Sequence, residues 1–183
     1  MLFAAKHPLI ALDIGTIEKG SNNISTVAHR FASTGTGENA LQYTQPNGST
    51  EGTEVNAFRH TVWQAGITSN HGVDIAKEVG DSHEVNPNAF INSNRTFNTM
   101  ADADQVTDLL NNQIGRSIGE GNSGRNMQEL SSSVLDEFHQ NGLYAVKENA
   151  DGKYVVEKTT LSKEKYNYLK EHYSTLDKNG NSK

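Results

Sequence analysis

The chain has 183 residues, a formal net charge of −6, and 34% hydrophobic against 21% charged residues. This length suits one compact domain rather than two. The acidic balance argues against a stable nucleic-acid binder, because such proteins draw most of their affinity from basic residues, although it does not exclude a nuclease. With no cysteine, the chain has neither disulfides nor Cys-ligated zinc nor a thiol nucleophile.

The longest uncharged apolar run is PLIAL at 8–12, which is too short to span a membrane. No basic start with a cleavage site precedes it, so the sequence predicts neither a signal peptide nor a membrane span. We therefore expect a soluble chain. Its export would depend on another polypeptide or on an upstream segment.

The first fifty residues predict short helices and an ordered loop. Residues 1–14 have the apolar set Leu2, Phe3, Leu9, Ile10 and Leu12, and the helical pattern is interrupted near His7-Pro8. Ser25 is a candidate N-cap for the next helix, ISTVAHRFAS. The Gly-, Thr- and Asn-rich segment 34–50 is too short to be a linker between domains, and we interpret it as a loop.

The rest of the chain predicts a mainly α fold with α+β character. Thr50 or Thr53 caps a helix from about 53 to 69, a second helix follows the NHG break, and the segment VNPNAFINSNRTFN is a loop. Thr99 caps a long helix, and the helix after it stops at Gly142. A single β-hairpin turns at Asp151-Gly152, and Ser162 caps a last helix. We expect one compact domain over 1–183, divided into N-terminal helices and loop at 1–50, a helical core with the site at 51–142, the hairpin at 143–160 and a C-terminal helix at 161–176.

The helix at 53–69 carries two buried-looking faces. Residues four apart share a helical face, so one apolar stripe holds Val55, Phe58, Val62, Ala65 and Gly66. The opposite stripe places Asn56 and His60 beside Trp63, where a surface helix would carry Lys and Glu. This predicts a helix covered on both sides, with His60 and Asn56 partly buried and therefore paired. Trp63 also fits plain core packing.

Two further helices place polar residues where burial is expected. His83 lies on the apolar stripe of the second helix and is predicted to point inward, whereas Glu84 is rotated about 100° from it and reaches the same point only if the helix frays. On the long helix, Asp108 and Asn112 lie on a flank that continues as Gly115 and Gly119. Because glycine costs roughly 1 kcal/mol in a helix, two of them four apart indicate that a backbone or a ligand comes close.

Two chemistries fit this set of residues. Without a metal, His60 or His83 acts as general acid or base, Glu84 or Asp108 fixes its tautomer, and Arg59 or Asn112 steadies a developing negative charge. Alternatively, His60, His83 and Asp108 converge from three helices on a divalent metal. The local zinc motif H-E-x-x-H is absent, so no spacing supports the metal, and any cofactor stays unknown. As a structural alternative, Asp108 and Asn112 form a surface pair on their helix.

The blocks NAFRHTVWQAGIT, IAKEVGDSHEVNPNA and DLLNNQIGR resemble a toxin module found at the C-termini of bacterial polymorphic toxins, including Maf-type and Rhs-type secreted proteins. The resemblance extends roughly from His7 to Tyr144. The family's core blocks correspond here to Arg59, His60 and Trp63, to His83 and Glu84, and to Asp108, Asn111, Asn112, Gly115 and Arg116.

The resemblance implies a secreted effector that is delivered into a target cell, with a cognate immunity protein and a secretion-system carrier as partners. It does not define the reaction. From the acidic composition we expect a hydrolase acting on peptidoglycan or phospholipid, with Asn56, Trp63, Asn111, Asn112 and Arg116 binding the substrate. One alternative is a nuclease using the histidine pair, which a patch of Arg59, Arg95, Arg116 and Arg125 would support. The other is a non-enzymatic effector that binds a host or secretion-system protein.

Overall fold

The computed structural model describes residues 2–46, 48–83 and 95–183. Within these ranges the chain forms eight helices and a three-stranded sheet, which confirms the predicted mainly α fold. In chain order the elements are α1 Leu2–Lys6, α2 Pro8–Ile14, α3 Ile24–Ser33, α4 Glu54–His71, α5 Val73–His83, β1 Thr96–Phe97, α6 Met100–Gly121, α7 Met127–Gln140, β2 Leu143–Glu148, β3 Tyr154–Thr159 and α8 Lys163–Ser174.

Helix α4 is the central element of the core. Thirteen of its 18 residues are buried, and α3, α5, α6 and α7 all pack against it. Thr53 begins the helix, because its hydroxyl accepts a hydrogen bond from the Asn56 backbone N–H. The helix carries both an apolar stripe and a buried polar stripe, so it is covered on both sides as its sequence predicts.

Helices α4 and α6 run in the same direction. Asn56 contacts Asp108, Gln64 contacts Arg116, and Ser69 contacts the Asn122 carbonyl, so the partner advances along α6 as the chain advances along α4. We call Gly115 and Gly119, with the α4 carbonyls of Thr61 and Ala65, the glycine seam. A Cβ on Gly115 would stand 2.4 Å from the Thr61 oxygen, and one on Gly119 would stand 2.6 Å from the Ala65 oxygen. The two glycines therefore admit a neighbouring backbone.

The sheet has the order β1-β3-β2 with antiparallel pairing throughout. The predicted hairpin is confirmed as β2 and β3, and Gly152 adopts the left-handed conformation with φ +71° in its turn. The prediction of a loop through residues 95–98 is wrong at Thr96 and Phe97, which form the third strand against β3. Such a short strand has no sequence pattern of its own, since pairing with a distant segment defines it.

Local signals at the helix ends agree with the structure in all but one case. Thr99 and Ser162 cap α6 and α8, and Gly142 follows the end of α7 with φ +83°. The correction concerns α3, because its N-cap is Asn23, whose side chain accepts from the Thr26 N–H. Ser25 lies inside the helix instead, and its hydroxyl donates to the Gly15 carbonyl.

The N-terminal helices divide their apolar residues between core and surface. The break at His7-Pro8 separates α1 from α2 as predicted, and Phe3 and Ile10 pack against the core. Leu9 and Leu12 are 79% and 74% exposed. No helix within the described ranges is long and apolar enough to cross a bilayer.

Candidate active site

His60 lies between α4 and α6 with three polar neighbours. Its Nδ1 is 3.3 Å from the Asn112 Oδ1, and its Nε2 is 3.3 Å from the Asp108 Oδ2. The Arg59 Nη2 is 3.1 Å from the same Nε2. The predicted partial burial of His60 is confirmed, since 13% of its side chain is exposed. A histidine held at both ring nitrogens has a fixed orientation.

Burial and the nearby Arg59 guanidinium lower the pKa of His60 to about 3. The imidazole is therefore neutral at pH 7. We assign its proton to Nδ1, which donates to the Asn112 Oδ1, so that the Nε2 lone pair accepts from Arg59. When Nε2 takes up a proton, Asp108 Oδ2 becomes its acceptor. The same side chain thus has a partner in each protonation state.

Asn56 links Arg59 to two carboxylates. Its Oδ1 accepts from the Arg59 Nη2 at 2.6 Å, and its Nδ2 lies 3.0 Å from the Asp104 Oδ1 and 2.9 Å from the Asp108 Oδ1. The Gly52 N–H also donates to the Asp104 Oδ1 at 2.6 Å. Burial is the main cause that raises the pKa of Asp104 to about 6, and its hydrogen bonds oppose that rise.

A third pair continues the contact along the two helices. The Arg116 Nη1 donates to the Gln64 Oε1 at 3.1 Å. We call these contacts between α4 and α6 the polar ladder. Asn56 contacts Asp104 and Asp108, His60 contacts Asp108 and Asn112, and Gln64 contacts Arg116. The Gln64 Nε2 and the Asn112 Nδ2 are buried with no hydrogen-bond partner among the described residues. Both nitrogens lie beside Gly80, where a Cβ would stand 2.8 Å from the Gln64 Nε2, so that glycine leaves room for two amides.

A cavity of about 250 Å³ opens beside His60. It is lined by the segment 15–17 after α2, by Ser25 of α3, and by Arg59, His60, Trp63 and His83. The Trp63 Nε1 donates to the Ser25 Oγ at 3.0 Å, so the indole is buried with its polar atom paired. The chain therefore places a cation, two imidazoles and a large aromatic ring around one small space.

His83 lies at the rim of this cavity. Its ring meets the Trp63 ring edge to face, with centroids 5.0 Å apart, and the His60 ring lies 6.1 Å from the same indole. The ring of His83 faces Trp63 and the cavity, in line with the predicted inward direction, but the residue is exposed near the end of α5 rather than buried. Partial desolvation and Arg59 lower the pKa of His83 below its ordinary value. Trp63 thus lies between the two histidines, as a wall of the cavity.

Asn111 belongs to the scaffold, which corrects its assignment to substrate binding. The residue is completely buried, its Nδ2 donates to the Tyr144 carbonyl, and its Oδ1 accepts from the Tyr144 N–H, both at 2.9 Å. Asn112, one residue further, points to His60 instead. Arg116 contacts Gln64 and does not line the cavity in the described part of the chain.

Two other site predictions have different outcomes. Glu84 lies outside the described residues, so its proposed role stays a prediction. Among the residues that the structure describes, no three His, Asp or Glu side chains are grouped to hold a metal ion. His60, His83 and Asp108 therefore do not form the three-ligand set that the sequence left open.

The arginine patch expected of a nuclease is not assembled by the four candidates. Arg59 lines the cavity, Arg95 lies over the Tyr144 ring at 4.7 Å, Arg116 contacts Gln64, and Arg125 is exposed in the turn after α6. A single arginine at the cavity would contribute little affinity for a nucleic-acid phosphate backbone.

The residues assigned to the site from the sequence did not include Asp104 and Gln64, although both lie on the polar helical faces that the sequence predicts, and Ser25 and the segment 15–17 were missed. Asp104 lies one turn before Asp108 on the same flank of α6, and this spacing is a signal that could have identified it. Gln64 follows His60 by four residues in the same way. Segment 15–17 carries no such signal, because the packing of α2 and α3 brings it to the cavity.

Comparison with known proteins gives one match. Residues 4–142 match a family described as a domain of unknown function, DUF6973. This range includes every described residue of the polar ladder and of the cavity. Neither the curated proteins nor the solved structures contain a match to the chain. Since the match covers well over half of its length, the chain belongs to the DUF6973 family.

Proposed function

We propose that this protein is a hydrolase in which His60 is the general base. The observation that carries the proposal is the placement of His60 between Asp108 and Asn112, at the wall of a cavity. A base needs a lone pair that water can reach. Burial keeps the imidazole unprotonated at neutral pH, and its Nε2 becomes available to water when the Arg59 guanidinium turns from Nε2 to the substrate. It also needs a partner for its conjugate acid, and the Asp108 carboxylate lies 3.3 Å from Nε2.

The chemical step is attack by water on a carbonyl or phosphoryl centre. The His60 Nε2 takes a proton from the water as the water oxygen bonds to that centre, and the bond to the leaving atom breaks, which is an oxygen in a phospholipid and an amide nitrogen in peptidoglycan. The proton then passes from Nε2 to the leaving atom, so His60 ends as it began. Arg59 stabilises the negative charge that develops on the attacked group, because its guanidinium reaches the same cavity.

The other described residues position these groups. Asn112 fixes the His60 ring through Nδ1, and Asn56 holds Arg59 and Asp108 in one network. Trp63 forms the wall against which the substrate rests, and His83 stands across it at the rim, where it binds the leaving group. An anionic substrate beside Arg59 offsets one cause of the low pKa of His60 and makes the imidazole a stronger base.

We further propose that the hydrolase is a toxin or effector domain, secreted or delivered into a target cell, with peptidoglycan or phospholipid as substrate. The resemblance to polymorphic toxin modules and the net charge of −6 support this setting. A cognate immunity protein and a secretion-system carrier would be its partners.

The direct test incubates the purified protein with phospholipid vesicles, peptidoglycan sacculi, RNA and plasmid DNA. We expect hydrolysis of an envelope substrate, and we expect His60→Ala to slow it by about 100-fold or more. His172→Ala is the matched control, since that histidine contacts Thr34 of the segment after α3, away from the cavity. Circular dichroism verifies that both variants fold. Full activity in folded His60→Ala, or cleavage of nucleic acid alone, would contradict the proposal.

Expression in a bacterium, in the cytoplasm and separately in the periplasm, tests the setting. Growth arrest confined to the compartment that exposes the envelope substrate supports a toxin of this class. A folded variant with both His60→Ala and His83→Ala should be harmless. Toxicity retained by that variant would favour the non-enzymatic alternative, in which the protein acts by binding a partner.

A further inference from the structure

We infer that the cavity binds the phosphate headgroup of a phospholipid while Leu9, Leu12 and Ile17 insert into the bilayer. This inference rests on the proposed hydrolase function and narrows its substrate to a membrane lipid. Three features of the described residues lead to it: a cation without an ion pair, a small cavity with an apolar wall, and an exposed apolar strip on the helix that leads into the cavity lining and on Ile17 of that lining.

The cation is Arg59. The described partners of its guanidinium are neutral, namely the Asn56 Oδ1 and the His60 Nε2, and no carboxylate within the described ranges forms an ion pair with it. Asp104 and Asp108 accept from the Asn56 Nδ2, and Asp108 contacts the same His60 Nε2 as Arg59 does, but neither forms an ion pair with the guanidinium among the described contacts. Burial and, after it, the guanidinium charge lower the pKa of His29 and of the two cavity histidines. An anionic ligand group would complete this site.

The cavity itself selects for a small headgroup. Its volume of about 250 Å³ lies just below the range for small-molecule sites, which is roughly 300–1,000 Å³. The buried Trp63 ring and the exposed Ile17 side chain give the space an apolar wall and an apolar edge. A ligand that is anionic at one end and apolar at the other matches both parts of this lining.

The strip consists of exposed apolar residues on α2 and in the segment that follows it. Leu9 and Leu12 are three residues apart on α2 and therefore share a face, and Ile17 is 50% exposed where the chain after α2 lines the cavity. Large exposed side chains of this kind gain free energy when they leave water. A bilayer offers them an apolar phase immediately beside its phosphates, whereas glycan strands and RNA do not. The strip and the cavity therefore favour phospholipid over peptidoglycan.

The test measures binding to vesicles rather than hydrolysis. Trp63 is the only tryptophan in the chain and lines the cavity, so its fluorescence reports occupancy. We expect vesicles of phosphatidylcholine with brominated acyl chains to quench it. The double variant Leu9→Ser with Leu12→Ser should bind vesicles at least 10-fold more weakly in a flotation assay. Tyr43→Ser is the control, because Tyr43 is another large exposed apolar side chain, 50% exposed like Ile17, that does not line the cavity. This variant should bind vesicles as the wild type does.

Arg59→Gln tests the headgroup contact. Monomeric dihexanoyl-phosphatidylcholine should change the Trp63 fluorescence of the wild type, and Arg59→Gln should weaken that binding by about 10-fold or more. Inorganic phosphate is the comparison ligand: phosphate binding with no response to the short-chain lipid or to vesicles would overturn the inference, as would full vesicle binding by the double leucine variant. If a protein partner but no vesicle protects the strip, the inference is likewise overturned.

The outcomes also separate this inference from the proposed function. Hydrolysis of sacculi by a protein that ignores vesicles would overturn the lipid site and leave the hydrolase standing. Vesicle binding by a protein that hydrolyses none of the four substrates would overturn the hydrolase and support the lipid site.

Discussion

The polar ladder and the glycine seam lie on the same pair of helices but join them differently, one through side chains and the other through backbone contact. In the ladder, side chains of α4 and α6 meet through hydrogen bonds, as between His60 and Asn112. In the seam, Gly115 has no side chain, and the Thr61 carbonyl takes the space where one would be. The seam brings two backbones together, and its contact distance leaves no room for a ligand. The ladder keeps polar groups between the helices, and its middle pair opens into the cavity.

This difference shows that close packing on one side of a helix pair can fix a polar site on the other. The backbone contacts of the glycine seam determine the position of α6 against α4, because backbone atoms cannot move aside as the end of a flexible side chain can. The Cα atoms that carry the ladder's side chains are then held at fixed distances across the two helices. Substitutions in the seam should therefore destabilise the protein more than substitutions in the ladder.

Gly115→Ala should have the largest effect on stability. The new Cβ would stand 2.4 Å from the Thr61 oxygen, which is backbone and cannot move aside, so we expect the free energy of unfolding to fall by about 3 kcal/mol or more. Gly121→Ala is the matched control in the same helix, because open space surrounds its Cβ. That variant should gain up to about 1 kcal/mol from helix propensity. Urea denaturation measures both, and equal effects would refute the close contact.

Asp104→Asn should stabilise the protein at pH 7. Burial raises the pKa of Asp104 to about 6, so the folded state resists its ionisation, whereas an Asn oxygen can still accept from Gly52 and Asn56. A shift of about two pKa units corresponds to at most about 3 kcal/mol. Glu120→Gln, on the exposed end of α6, is the control and should change stability by less than about 0.5 kcal/mol.

The pH dependence tests the same carboxyl. Between about pH 4 and 6 the folded state holds the Asp104 proton more tightly than the unfolded state, so this group makes stability fall as the pH rises. His60 acts in the opposite direction between about pH 3 and 6.5, because its pKa is lowered on folding. Subtracting the Asp104→Asn curve from the wild-type curve cancels His60. A difference that stays flat from pH 4 to 7 would contradict the raised pKa.

Asn56→Ala should weaken the ladder by a smaller amount. Asp104 and Asp108 each lose one donated hydrogen bond, and Arg59 loses an acceptor, so we expect a cost of about 2 kcal/mol at pH 7. The cost should be larger at pH 8 than at pH 4, because the lost bond favours ionised Asp104. Asn22→Ala is the control, since it also removes an amide that accepts from an arginine, but at an exposed site. Equal costs for the two variants would count against the buried network.

The fold was predictable where short segments determine it. Thr53, Thr99, Ser162 and Gly142 act on neighbouring backbone groups, so the residue types alone indicate the helix ends. Strand β1 was not predictable, because only its pairing with β3 makes it a strand. The N-cap of α3 was misplaced by two residues, since Asn23 and Ser25 are both good capping residues and tertiary contacts decide between them.

The site was predictable to the extent that helical faces determine it. The faces of α4 and α6 correctly predict that Asn56 and His60 are largely buried and that Asp108 and Asn112 lie toward the same region. They could not distinguish Asn111 from Asn112, because adjacent residues diverge only through the tertiary partners that they meet. The exposure of His83 could not be predicted from its helical face either, since it depends on how much of the end of α5 is covered by neighbouring elements.

The amide of Asn111 has a consequence for how the molecule meets its own copies. Strand β2 forms one side of the sheet, and the outward backbone groups of two of its residues are bonded within the chain: Tyr144 by Asn111, and Val146 by the Gly52 carbonyl and the Gln45 Nε2. A strand border without free donors or acceptors offers nothing to an incoming strand. One glutamine, one glycine and one buried asparagine therefore protect the hairpin against edge-to-edge aggregation.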